Sequence, residues 1–518
     1  MKSQEPEILL IYNARLLDEE TDAPGAVLSI EGKIRAVFQG DFSSEESVSA
    51  PAREILKENG FSENSAVEFF NADGLTVTPS FIDLHVHLRD PGLTQKEDLN
   101  SGLHAAAAGG YGTVVAMPNT NPVTSTAAQA KEIRERAKAL NLANMFQVCS
   151  ITRNFEGKDV SHLEEINSAE VPVISEDGKE VASSATMLEG MKIAAKKGMI
   201  VACHCEDPEL AAAARPLRKK ALDIMKEYNL SAWGISKNQK EAPELAMEEI
   251  QDALSKANEL LALAEDISTE RNLELAENAG CHIHLCHVST EKSIEAIRRA
   301  KKKIAVKNAE FFRQAAESAC SQNENEKTEK TEKAANAEPQ MYAEPRAAVF
   351  SVTCEVTPHH LGLCGTGEPY IRALVNPPLR PKTDRLALIE AIRDGTVDCI
   401  STDHAPHTAE DKAAGAPGFT GLETSFGVCN TKLVKEGQIS AKKLSQLMSA
   451  NPARILKLNK GLLKTGFDAD FTLVNPDEEW KVEPQHFFSK GKATPFEGKV
   501  LYGTVKAVFI GGKKVFEK

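Results

Sequence analysis

One recurrence constrains this fold more than any other feature. Eight short apolar runs, each followed by polar residues and a helix-like segment, lie between residues 81 and 402. They are FIDLHVHL (81–88), TVVAMP (113–118), MFQVCSI (145–151), VPVIS (171–175), MIVACH (199–204), HIHLCHV (282–288), SVTCEVT (351–357) and VDCIST (397–402). Parallel strands buried on both faces read as near-continuous apolar runs. Strand–helix alternation eight times over predicts an α/β fold, a (β/α)8 TIM-type barrel, across residues 77–460. The chain ends have a different texture: ILLIYNARLL and AVLSIEGKIRAVF near the start, DADFTLVNP and TVKAVFIGGKKVF near the end. Residues 1–76 and 461–518 are therefore expected to join as one small β-sandwich-like domain.

Three stretches read as insertions. Residues 41–65 are polar and Ser/Glu-rich, 230–275 read as surplus amphipathic helix, and 318–346 are low-complexity and polar. The last has too little apolar surface to offset the entropy of ordering. A length of 518 residues accommodates a barrel and an accessory domain. A net charge of −14 and only 5% aromatic residues argue against nucleic acid or an anionic membrane as partner. The N-terminus has no apolar leader and the chain has no 18-residue apolar run, so the cytoplasm is the expected location. Ten cysteines, scattered without C-x-x-C spacing and mostly in apolar runs, read as reduced core thiols.

In such a barrel, chemistry sits at the C-terminal ends of the strands. Polar residues gather there: His85 and His87, Asn119, Glu176 and Asp177, His204, His287, His359 and His360, then Asp403, His404 and His407. Ten of the thirteen histidines belong to these runs or their ends. A lone H-x-H is weak evidence. Four imidazoles (His85, His87, His204, His287) with two carboxylates (Glu176 or Asp177, and Asp403) are a ligand set suited to Zn²⁺. One ion, or two sharing a bridging carboxylate, would use it. Arg89 could be a surface residue paired with Asp90. Asn119 and Asn376 stand in Asn-Thr-Asn and Asn-Pro-Pro, sequences that favour turns.

The motifs PSFIDLHVHLRDPG, MPNTNPV, HCEDPEL, HVSTEKS, TCEVTPHHL, NPPLR, STDHAPH, APGFTGLET and TPFEGK together resemble the dihydroorotases of the amidohydrolase superfamily. The resemblance implies reversible cyclisation of N-carbamoyl-L-aspartate to dihydroorotate plus water, in pyrimidine synthesis. It implies that His85, His87, Asp177 and Asp403 bind the more buried zinc. Asp177, His204 and His287 would bind the second, with Asp177 bridging. Asp403 would be the catalytic general acid–base. Arg89, Asn119 and Asn376 would hold the substrate, with His87, His407 and the Pro417–Gly418 backbone. Related hydantoinases bridge their metals with a carboxylated lysine. Here SEDGKEV supplies acids instead, so Lys179 is not the expected bridge; Asp177 is preferred and Glu176 is the alternative. Ser80 and Gly112 stand where the family usually has Gly and Thr. His359 and His360 read as supporting residues. Competing readings are an allantoinase or hydantoinase, or an inactive dihydroorotase-like partner of aspartate carbamoyltransferase. The expected partner is a small-molecule substrate, while a homodimer and association with that transferase stay open.

Overall fold

The eight apolar runs become eight parallel strands: Phe81–Val86, Tyr111–Ala116, Asn144–Gln147 continued by Cys149–Ser150, Val173–Ser175, Ile200–Cys203, His282–Leu285, Ser351–Val356 and Cys399–Ile400. This is a computed structural model, and it describes residues 7–62, 65–228, 244–323, 350–365 and 370–518, without the side chains of 308–323 and 370–371. Each strand pairs with the next in chain order, the third changing partner at Val148. A parallel bridge from Val86 to His404 closes the ring.

Alternation along the strands sorts their side chains into two layers. Ile82, Leu84, Val115, Met117, Val173, Ile200 and Ala202 pack together in one buried cluster. Val114, Ile174, Val201, Ile283 and Val352 join the larger cluster with the surrounding helices. Several helices start at side-chain caps that the sequence encodes. Asp98 accepts from Ser101 N, Thr126 from Gln129 N and Ser183 from Thr186 N, each satisfying an otherwise orphaned donor. Among the described residues, no helix is long and apolar enough to cross a membrane. The nine cysteines whose side chains are described are all free.

Strands from both chain ends form one eight-stranded sheet. Its seam is the antiparallel pairing of Thr76–Pro79 with Phe471–Val474. Leu9, Ile11, Val27 and Ile34 from the first half share a buried cluster with Phe471, Leu473 and Phe509 from the second. The sheet sits against the barrel through Val474, Val505 and Val508, which join the main core beside Phe81 and Phe426, and through Thr472 Oγ1 donating to Gly110 O at 2.7 Å.

The insertions turn out unequal. Within 41–65, Glu45–Glu58 is a helix whose Val48, Ala52 and Leu56 cover the sheet beside Leu10 and Ile30. Residues 229–243 lie outside the description, but Glu244–Ala279 is a single 36-residue helix. Its first part packs on the helix Pro208–Glu227 through Ile250, Ala253, Ala257 and Leu261. Its last part, with Leu273 and Ala276, belongs to the main core, so the stretch is barrel wall as much as insertion. Residues 318–323 end the helix Glu291–Asn323, and the rest of the low-complexity stretch lies outside the described residues.

Candidate active site

His85 and His87 leave the first strand side by side, ring centroids 5.2 Å apart. That strand is shorter than its apolar run predicts. It ends at Val86, and His87 N donates to His404 O across the closing seam. Arg89 therefore does not continue the strand alternation; it sits in a loop with a left-handed φ of 59°. His287 (36°) and Asp403 (49°) share that region. For residues other than glycine this backbone costs ~1–3 kcal/mol, and such strain gathers at functional sites.

The six candidate ligands are all buried. His85 Nε2 lies 3.3 Å from Asp177 Oδ1 and 3.7 Å from Asp403 Oδ1. His87 Nε2 lies 3.2 Å from Asp403 Oδ1 and 3.6 Å from Asp177 Oδ2. His204 Nδ1 lies 3.3 Å from Asp177 Oδ1 and 3.0 Å from His287 Nε2. Asp177 is thus the centre of the group. Glu176 turns away, with both oxygens accepting from Thr152. Lys179 Nζ donates to Phe155 O.

A cation fits this arrangement. Glu355 Oε1 is 3.0 Å from His85 Nδ1, and an ionised carboxylate only accepts, so Nδ1 carries the proton. Nε2 then faces Asp177 Oδ1, and with no positive charge between them both atoms are acceptors, which is why, against burial, Asp177 raises His85 well above its ordinary range. Both atoms are buried without a hydrogen-bond partner. Two unpaired acceptors 3.3 Å apart in a dry site call for positive charge. Donor atoms of His85, His87 and Asp403, and of His85, Asp177 and His287, come within 4.8 Å of one another. Burial pushes Asp177 up, but His85, His87 and His204 hold it well below the usual carboxylate range. Burial likewise opposes ionisation of Asp403, yet His87, His85 and His287 bring it down to about 2. Against burial, Asp177 pushes His204 up to about 9, so the cluster draws in positive charge.

Glu355 went unnoticed in the sequence. The available signal was its being the single acid inside the run SVTCEVT. Besides His85 it meets His284 Nε2 at 3.1 Å and accepts from His287 N, and these partners keep it far below its ordinary range despite burial. Asp83 accepts from Thr402 Oγ1 (2.6 Å) and His85 N (3.0 Å), tying the first strand to the eighth.

Asn119 stands between two candidate ligands. Its Oδ1 is 2.9 Å from His87 Nδ1, and its Nδ2 donates to Asp177 Oδ2 at 3.0 Å. Arg89 is buried and, among the described residues, has no carboxylate in ion-pair reach; Asp90 pairs with Arg136 at 2.7 Å instead. Its Nε donates to Pro406 O at 3.3 Å, and its Nη2 is 3.3 Å from His407 Nε2. His407 Nε2 is also 2.9 Å from Pro417 O, which fixes the proton on that nitrogen and leaves Nδ1 to accept from Lys96 Nζ at 3.5 Å. Burial, then Arg89 and Lys96, push His407 down to about 3, so it is neutral. Gly418 follows with φ 116°, where a Cβ would fall 2.8 Å from Ala405. Asn376 Oδ1 accepts from Arg218 Nη1. His360 Nε2 faces Pro377 O at 3.1 Å and supports that loop. His359 Nε2 is buried without a partner, its ring 4.8 Å from Phe419.

Residues 76–515 match the Amidohydrolase family. A dihydroorotase of Clostridium botulinum (strain Eklund 17B / Type B) is 37% identical over 511 residues, 98% of this chain and 100% of the relative. A dihydroorotase of Aquifex aeolicus (strain VF5) is 35% identical over 480 residues, 90% of this chain and 94% of the relative. The solved L-hydantoinase (dihydropyrimidinase) from Arthrobacter aurescens superposes with a TM-score of 0.70 at 22% identity, over 98% of this chain and 96% of that one. That likeness is one of fold. The match over the whole barrel and the two full-length relatives place the chain in the amidohydrolase family and, within it, among the dihydroorotases.

Proposed function

We propose that this cyclic amidohydrolase is a zinc-dependent dihydroorotase, interconverting N-carbamoyl-L-aspartate and dihydroorotate. One observation carries the reading. A buried cluster of metal-type ligands, with His85 Nε2 and Asp177 Oδ1 unsatisfied at its centre, lies beside a buried arginine that no carboxylate of the described chain pairs with. Imidazole and carboxylate donors suit Zn²⁺. His85, His87, Asp177 and Asp403 would hold one ion, and Asp177, His204 and His287 a second. A zinc ion bound there supplies Lewis acidity, lowering the pKa of a water and polarising a carbonyl.

The chain's own groups do the rest. Arg89 grips the substrate carboxylate through its free guanidinium edge, a fork that lysine lacks. His407, neutral, and the Pro417–Gly418 backbone border the same carboxylate, and Asn376 closes the other side. Asn119 holds His87 and Asp177 in register while facing the substrate. In hydrolysis, Asp403 takes a proton from the attacking water and delivers it to the ring nitrogen as the C–N bond breaks. In cyclisation, Asp403 removes that proton as the C–N bond forms, and water leaves.

Metal analysis of the purified protein, joined to a dihydroorotate hydrolysis assay, tests this reading. Zinc together with turnover is the expected result; full turnover by metal-free protein overturns it. Arg89→Met should raise KM for dihydroorotate by about 10- to 100-fold with metal content unchanged. A cytoplasmic location belongs to the same reading. It leaves room for a homodimer and for association with aspartate carbamoyltransferase, which mass measurements with and without the transferase decide.

A further inference from the structure

Lysine is rarely fully buried, yet Lys412 has no exposed surface. It lies in the short helix Ala409–Ala413, in the excursion after the eighth strand. Among the described residues no carboxylate comes within ion-pair distance of it, unlike buried Arg380, which pairs with Glu265 at 3.0 Å. Burial pushes the Lys412 ammonium down to about 7.

What holds it is main chain. Nζ donates to Leu374 O at 3.0 Å, to Ala416 O at 2.9 Å and to Gly418 O at 2.7 Å. An ammonium has three donors, so all are engaged. The acceptors belong to two separate segments. Leu374 precedes Asn376 by two residues, while Ala416 and Gly418 bracket Pro417. The segments also touch directly, since Gly418 N donates to the same Leu374 O at 2.9 Å. That carbonyl, with two lone pairs, is saturated by the two contacts. Buried loop carbonyls are costly when unpaired, and no apolar side chain could collect three of them at one point. The planar guanidinium of arginine, with its fixed fork, does not converge on one point in that way.

We propose that Lys412 is a positioning residue: a clasp joining the 374–376 and 416–418 segments into one wall of the substrate pocket. Through that wall it sets where Asn376 and the Pro417–Gly418 backbone stand, and where Pro417 O meets the His407 proton. The clasp rests on the assignment of those residues to the substrate.

Lys412→Met keeps an unbranched side chain, one atom shorter, and removes its donors. KM for dihydroorotate should rise about 10- to 100-fold, while kcat stays within about threefold and metal content is unchanged. Amide hydrogen exchange should quicken across 372–378 and 414–419 but not in the barrel strands. Lys412→Gln keeps two of the donors and should fall between. If KM and exchange are unaltered, the proposal is overturned. An even loss across kcat, metal content and strand exchange also overturns it, because that is general destabilisation. Should Lys412→Met not fold, Lys412→Gln decides on the same readouts. Exchange needs no substrate, so a wild-type protein that fails to turn over dihydroorotate sinks the functional reading while the clasp is still tested.

Discussion

Ser80 and Gly112 share one small volume. A Cβ on Gly112 would fall 2.2 Å from Ser80 Oγ, so the hydroxyl fills space that a side chain at 112 would need. The bulk at this contact is carried by Ser80, with the Ile510 side chain closing it from another side. Gly112→Thr alone should overpack the site and cost ~1–3 kcal/mol in urea unfolding. Adding Ser80→Gly should restore most of that loss, a coupling that additive losses would contradict. Glu355 supports a second expectation. Its carboxylate orients His85 and His284, and groups that orient metal ligands typically matter 10–100-fold in affinity. Glu355→Gln should weaken zinc binding by about that factor in a competition titration; unchanged affinity would count against the assigned His85 tautomer. The strand-mouth histidines were legible because their residue types are rare in apolar runs. Glu355 was not, since one acid in SVTCEVT gives no hint of what it faces.

At the scale of elements, the barrel strands were legible, the helix Glu45–Glu58 was not, and Glu244–Ala279 was legible as a helix but not in its place in the core. Continuous apolar runs announce strands buried on both faces. Glu45–Glu58 hid because it is Ser/Glu-rich, contains Pro51 and buries only Val48, Ala52 and Leu56. Glu244–Ala279 read as surplus because its role depends on polar residues that periodicity cannot place. Glu265 in that helix is buried and accepts from Ser289 N (2.8 Å), Thr290 N (3.0 Å) and Arg380 Nη2 (3.0 Å). Arg380, from NPPLR, also donates to Leu261 O, so the helix, the loop after the sixth strand and the Asn376 loop share one buried node. Arg380→Met leaves Glu265 charged and unpaired, and should cost ~3–5 kcal/mol in chemical unfolding. Adding Glu265→Gln should recover much of it. A loss below ~1 kcal/mol would place Arg380 outside the node's energetics.

Across the whole molecule, the ring of eight strands brings together residues 318 positions apart, as when Arg89 meets His407. The six candidate ligands converge although they come from five different strand ends, a convergence the sequence implied only through the barrel. What it did not reveal was orientation at the loops: Arg89 off the strand line, Asn376 turned to Arg218, and Lys412 engaged with carbonyls. Those details follow from backbone φ and loop–loop packing, which have no periodic signature. The likeness to hydantoinases is one of fold, so substrate choice is the central question. The most direct measurement is turnover of dihydroorotate, allantoin and hydantoin side by side by the metal-loaded protein, before and after chelation. Turnover of dihydroorotate, lost on chelation, with little on the other two, is the expected result. Turnover of allantoin or hydantoin without dihydroorotate would contradict it.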